Sequence, residues 1–151
     1  MKVKLLTSTA IPPKRMSAGA AAYDVYSDED KIILPQCRKL VSTGISIEIP
    51  VTVYAQLAPR SSLAVKEIDV GAGIIDSDYR GEVKVLLINN STNDFIIKKG
   101  DRISQMILKM IYLPEVEVVE HLSETIRNDG GFGSTNSTNV QNAFDKECIH
   151  N

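Results

Sequence analysis

The chain has 151 residues, 43% of them hydrophobic, a size and composition that bury one core without disulfide staples. A formal charge of −2 supplies no global basic field for nucleic acid, so any phosphate site has to be locally basic, and no apolar run is long enough to span a membrane. Cys37 and Cys148 lie far apart without metal-ligand spacing, which reads as one half-buried thiol and one in the tail in a reducing compartment. Met1-Lys-Val-Lys-Leu-Leu begins basic but lacks a signal-type apolar stretch. The chain is therefore expected to be soluble and intracellular, in the cytoplasm, the nucleus or both.

Val3-Lys-Leu-Leu-Thr reads as a short strand, and the prolines of Ile11-Pro-Pro-Lys-Arg break regular pairing after it. Ser17 to Ser27 combines small residues with alternating Tyr23 and Val25, giving tight packing followed by a half-buried strand, although the alanine run also suits a helix. Ile32-Ile-Leu, Leu40-Val-Ser-Thr-Gly and Ile45-Ser-Ile-Glu-Ile continue the strand pattern, the last with strict period-two alternation up to Pro50. Val51 to Pro59 is another strand, and Ser61 to Glu67 suits one short helical turn.

Gly71 to Val83 is glycine-rich and lies between two strand-like runs, which reads as a β-hairpin. Gly71, Gly73 and Gly81 allow positive φ and close approach of a ligand, while Asp76, Asp78 and Tyr79 are groups that a hydrolytic site uses; a polar turn capping its own amides fits the same residues. Val83 to Asn90 and Phe95 to Asp101 are strands joined by a polar turn. Ile103 to Tyr112 fits either a helical stripe or one face of a strand, and the β-rich surroundings favour strand. Val116-Glu-Val-Val-Glu closes the β part, and from Asn128 onward the Gly, Ser, Thr and Asn content cannot build a core. About ten short strands with one brief helix imply an all-β sandwich or jelly roll.

Five segments in order resemble the motifs of the trimeric deoxyuridine triphosphate nucleotidohydrolases, the dUTPases. They are Ala21-Ala-Tyr-Asp-Val-Tyr-Ser, Ala58-Pro-Arg-Ser-Ser-Leu-Ala, Gly73-Ile-Ile-Asp-Ser-Asp-Tyr-Arg-Gly, Gly100-Asp-Arg-Ile-Ser-Gln-Met-Ile and Arg127-Asn-Asp-Gly-Gly-Phe-Gly-Ser-Thr. Ala22, Ser62, Asn128 and Asn136 stand where the family has glycine, and Ser104 where alanine is common.

The resemblance implies an all-β jelly roll of the β-clip type with one short helix, assembled as a homotrimer with shared sites. It implies a jelly-roll domain over 1–126, a site-capping tail over 127–135 and a disordered extension over 136–151. The implied reaction is hydrolysis of dUTP to dUMP and pyrophosphate, which keeps uracil out of DNA and supplies dUMP for thymidylate synthesis, with Mg²⁺ as cofactor and no direct nucleic-acid or membrane partner. By the same resemblance Asp76 orients the attacking water and accepts the ribose 3'-OH, and Tyr79 packs against the sugar where a 2'-OH would clash. Backbone groups near Gly73 and Ile74 mimic a base-pairing edge for uracil. Arg60, Ser61, Ser62, Gln105 and Arg127 bind the phosphates, Phe132 stacks on uracil, and Gly133, Ser134 and Thr135 complete the tail's contacts. Asp24 holds water on the metal as an outer-shell acceptor, the role suited to an ion that sheds its waters reluctantly. Arg102 is assigned a structural role bracing a subunit junction; Asp78 and Arg80 receive at most an ion pair there. A dCTP deaminase of the same fold and a catalytically idle nucleotide-binding protein are the competing readings.

Overall fold

Short runs of β-branched and aromatic residues, closed by Gly, Pro, Asp or Asn, divide the chain into eleven strands and one helical turn in the computed structural model, which describes residues 1–130. In order they are β1 (Lys2–Leu5), β2 (Tyr23–Tyr26), β3 (Lys31–Ile33), β4 (Arg38–Ser42), β5 (Ile45–Glu48), β6 (Val53–Ala58), α1 (Ser61–Ala64), β7 (Ile68–Gly71), β8 (Ile74–Ile75), β9 (Lys84–Asn89), β10 (Phe95–Ile97) and β11 (Arg102–Met110). All pairings between them are antiparallel. A four-stranded sheet has the order β2-β11-β6-β8, a three-stranded sheet the order β4-β9-β7, and β1-β5 and β10-β3 form ribbons. These elements make one compact unit, Met1–Pro114; Glu115–Asn151 forms a second.

The inward faces meet in a single apolar core that includes the fully buried Val25, Ile33, Val41, Leu87, Ile103 and Met106. Burying each such side chain contributes about 1.5–3 kcal/mol. In β9 the alternation is visible directly, with Val85, Leu87 and Asn89 buried between more exposed neighbours. In β5 the period-two sequence pattern is not matched by burial: Ser46 is buried along with Ile45 and Ile47, and its hydroxyl donates to the Arg80 carbonyl at 2.8 Å.

The ambiguous segment after Gly100 is strand, because β11 pairs with β2 on one side and β6 on the other, and two ladders of backbone hydrogen bonds outweigh a weak helical stripe. The alanine run before Tyr23 is not helical. The predicted hairpin is present in part: β7 and β9 pair with Gly71 opposite Leu86. Between them, Ile74 and Ile75 leave that sheet to pair with Gln56 and Ala55 of β6. The glycine-rich stretch thus crosses from the three-stranded to the four-stranded sheet.

Two expectations are corrected. Val116-Glu-Val-Val-Glu is not a strand; no described segment supplies its backbone with a ladder, and Val116 and Val118 are 91% and 95% exposed. Cys37 is exposed rather than half-buried, since it sits in the β3–β4 turn, where its backbone bonds to Leu34 and Asn89 turn the thiol outward; Cys148 lies outside the described residues. No helix among the described residues is long and apolar enough to cross a membrane.

Candidate active site

The site residues predicted upstream of Arg127 fall into two cavities on opposite flanks of β6. The first, of about 710 Å³, is lined by Asp24, Arg60, Ser61, Ser62, Arg102 and Gln105, with small residues of the Ala20–Ala22 run at its rim. Sheet register builds it. Gln105 lies opposite Asp24 of β2 and also opposite Ala58, the last residue of β6, and Arg60 follows two positions later at the entry to α1. Leu63 anchors that turn in the core.

Asp24 is the hub of this cavity. Its Oδ1 accepts from Arg60 Nε at 3.1 Å and its Oδ2 from Arg102 Nη1 at 3.1 Å, with the carboxylate side chain only 12% exposed. Two guanidiniums against one carboxylate leave a positive surplus facing the cavity, where Ser61, Ser62 and Gln105 add neutral polar groups. The Gln105 amide nitrogen already donates to the Pro59 carbonyl at 2.8 Å, so its second N–H and its carbonyl remain for a ligand. Arg102, for which a structural brace at a subunit junction was expected, lines the cavity and bonds Asp24 within the chain.

The second cavity, of about 330 Å³, is lined by Gly73, Ile74, Asp76 and Tyr79 together with apolar side chains of Leu40, Leu57 and Leu86. Of the three glycines that allow positive φ, Gly73 alone adopts it, at 93°. A Cβ there would stand 2.8 Å from the Leu57 carbonyl oxygen, and the Gly73 carbonyl accepts the Leu57 N–H at 2.7 Å. One lone pair of the proposed base-reading edge is therefore held by β6. At Gly71 and Gly81 side chains lie close instead: a Cβ on Gly71 would stand 3.0 Å from a Leu86 methyl, and one on Gly81 would meet the Tyr79 ring.

The Asp76 carboxylate is exposed and accepts no hydrogen bond among the described residues, which leaves it for water or a hydroxyl. Its backbone carbonyl accepts Tyr79 N–H at 3.2 Å, and Arg80 Nη1 closes the same turn on the carbonyls of Ser77 and Tyr79. Arg80, expected at most in an ion pair, is a clamp on the turn. Asp78 forms no ion pair among the described residues.

Sequence reasoning missed the residues that hold this loop. Thr43 Oγ1 donates to the Val83 carbonyl, Gly44 N–H to Glu82 Oε1 at 3.0 Å, Ser46 Oγ to the Arg80 carbonyl, and Val83 N–H to the Ile45 carbonyl at 2.8 Å. Most of these bonds engage backbone carbonyls, which carry no residue-type signature; the Thr-Gly-Ile-Ser string at the β4–β5 turn was the only visible trace. In the second unit, taken by itself, Arg127 Nε donates to the Gly130 carbonyl at 2.7 Å, and Asn128 and Thr125 cap each other's backbone N–H. Asn128 has a φ of 40°, a left-handed conformation that Asn tolerates in place of glycine. Phe132, Gly133, Ser134 and Thr135 lie outside the described residues.

Among the described residues the two cavities share no lining residue, and Asp76 lines a different one from Asp24, Arg60 and Gln105.

An antiparallel all-β unit with a cationic cavity beside an apolar, backbone-lined one has the makings of a nucleotide-binding protein. The dUTPase family model matches residues 8–136. A deoxyuridine 5'-triphosphate nucleotidohydrolase of Paramecium bursaria Chlorella virus 1 is 55% identical over 134 residues, covering 88% of this chain and 95% of that one. The rice (Oryza sativa subsp. japonica) protein of the same name is 52% identical over 136 residues, covering 89% and 80%. A variant of the Staphylococcus bacteriophage 80alpha dUTPase, solved with dUpNHpp, superposes with a TM-score of 0.84 at 27% identity, over 89% of this chain and 96% of that one. The dUTPase from phage phi11 of S. aureus, in a variant structure that coordinates a structural Mg(II) ion, shares the fold at a TM-score of 0.77 and 24% identity, over 82% and 98%. The chain belongs to the dUTPase family.

Proposed function

We propose that the chain hydrolyses dUTP to dUMP and pyrophosphate in sites assembled between copies of itself, three to a homotrimer. The observation that carries this reading is the separation of the two cavities. One suits a triphosphate and the other a base with its sugar, and each is open on its own side of β6. An edge bearing Asp24, Arg60 and Gln105 from one copy is completed by the Gly73–Tyr79 loop of a second. The Arg127–Thr135 tail of a third copy closes the site.

In that site Asp76 accepts the proton of the attacking water, whose oxygen bonds to the α-phosphorus as the bond to pyrophosphate breaks. Arg60 and Arg127 donate to phosphate oxygens; Ser61 and Gln105 supply neutral donors where charge collects on the leaving group. The apolar walls around Gly73 and Ile74 hold uracil's edge against backbone groups. Cytosine, with donor and acceptor exchanged, leaves buried polar groups unpaired there.

The residues present fit a divalent cation held through water. Asp24 retains a further lone pair on each oxygen after accepting its two guanidiniums, and the positive surplus favours a cation that arrives already neutralised by phosphates. Among the described residues no group of three or more His, Cys, Asp or Glu forms a direct shell. Mg²⁺ bound with the triphosphate supplies charge neutralisation at its oxygens.

The test is release of pyrophosphate from each of dUTP, dCTP, dTTP, dATP, dGTP and UTP. Release from dUTP in at least about a hundredfold preference over the others is expected. Ammonia from dCTP, or no product from any of them, contradicts the proposal.

A further inference from the structure

Gly81 has no positive φ, so its backbone does not require glycine. What requires it is Tyr79. A Cβ at position 81 would stand 2.4 Å from the Tyr79 hydroxyl oxygen, 2.6 Å from Cζ and 3.0 Å from Cε2. The tyrosine ring lies across the bare Cα, with its hydroxyl donating to the Glu82 carbonyl at 3.0 Å. Glu82 is itself fixed, since its carboxylate accepts the Gly44 N–H at 3.0 Å and the neighbouring carbonyls of Arg80 and Val83 accept the hydroxyls of Ser46 and Thr43. The far end of the ring is thus pinned to a segment bonded to the β4–β5 turn, while Tyr79 as a residue remains 46% exposed at the wall of the second cavity.

We infer that Gly81 and Glu82 are the positioning residues for Tyr79: together they form the seat that fixes the ring's angle to the sugar, and so set how strongly a ribonucleotide is rejected. The inference rests on the reading that Tyr79 packs against the sugar and adds to it which residues set that contact. Steric exclusion of one hydroxyl is sensitive to small displacements in a close-packed wall. A methyl at position 81 meets the far end of a side chain rather than backbone, so the ring gives way and the fold is retained.

The experiment is a double-mutant cycle read as the ratio of kcat/KM for dUTP to that for UTP, in the native chain, Gly81→Ala, Tyr79→Ala and the double variant. The ratio is expected to fall about tenfold or more in each single variant, with no further fall in the double, because Gly81 acts only through the ring. Urea midpoints for all four check that the fold survives. Tyr79→Phe keeps the ring and loses only its anchor on Glu82; it is expected to lower the ratio by about threefold, and it tests the seat even if Gly81→Ala fails to fold. An unchanged ratio in folded Gly81→Ala, alongside a relaxed one in Tyr79→Ala, overturns the seat and leaves the sugar contact standing. A Gly81→Ala effect that persists at full size without the tyrosine also overturns it. An unchanged ratio in Tyr79→Ala removes the sugar reading and the seat together.

Discussion

Ser104 Oγ is the one buried side-chain polar atom among the described residues with no hydrogen-bond partner. It sits fully buried in β11 where the register with β2 shifts between Arg102 and Ser104, so neither neighbouring strand offers it a group. Leaving a hydroxyl desolvated and unpaired costs about 1–3 kcal/mol. Ser104→Ala is therefore expected to raise unfolding stability by about 1 kcal/mol, read as a higher denaturant midpoint at unchanged slope, and a loss of stability contradicts this account. Asp24, Arg60, Gly73, Asp76 and Tyr79 were all legible, and each lines one of the two cavities. Arg102 was legible as a residue and not as a partner of Asp24, because one guanidinium fits a structural brace and a ligand cavity equally well. Thr43, Ser46 and Glu82 were invisible because a donor or carboxylate aimed at backbone is an ordinary residue in sequence.

Between elements, one tie that responds to pH joins the loop after β1 to the turn between β2 and β3. Asp28 accepts from the hydroxyls of Thr7 and Thr9, each at 2.6 Å, with Lys99 Nζ 3.8 Å away. The two threonine hydroxyls, and then Lys99, hold its pKa below the ordinary aspartate value. A folded-state pKa lower than the unfolded one means that the unfolded chain takes up the proton first as pH falls. The stabilisation is complete above the unfolded value and is lost below about pH 4. Thr7→Val combined with Thr9→Val is expected to lower stability near neutral pH and to flatten its decline as the pH falls below the ordinary aspartate range, measured by urea unfolding at a series of acidic pH values. A decline as steep as the native one contradicts the assignment. Element by element, strands closed by Gly or Pro were readable from alternation and turn chemistry. The exceptions have one cause: a strand exists only where another strand completes its hydrogen bonds. β11 is strand against a helical stripe because two neighbours pair with it, and Val116-Glu-Val-Val-Glu is not, because among the described residues none does.

In the whole molecule the described residues line two separate cavities, which the proposed trimer would join into one site. Val116, Val118, Leu122 and Ile126 stand exposed in the second unit, each at least 86%. Apolar side chains at that density suit burial against another copy. The five motifs made the family legible because each carries its own chemistry, but sharing between copies is a matter of distance and of which flank of β6 each motif occupies, which residue order does not encode. Complementation tests the shared site most directly. Asp76→Asn and a chain ending at Ile126 are prepared separately; each homotrimer lacks one essential group in every site and is expected to be nearly inactive. After unfolding, mixing in equal amounts and refolding, random assortment gives about a quarter of the sites both Asp76 from a truncated chain and the tail from an Asp76→Asn chain. The account predicts recovery of about a quarter of the native rate of pyrophosphate release from dUTP. No recovery in trimers shown by mass to contain both chains contradicts it.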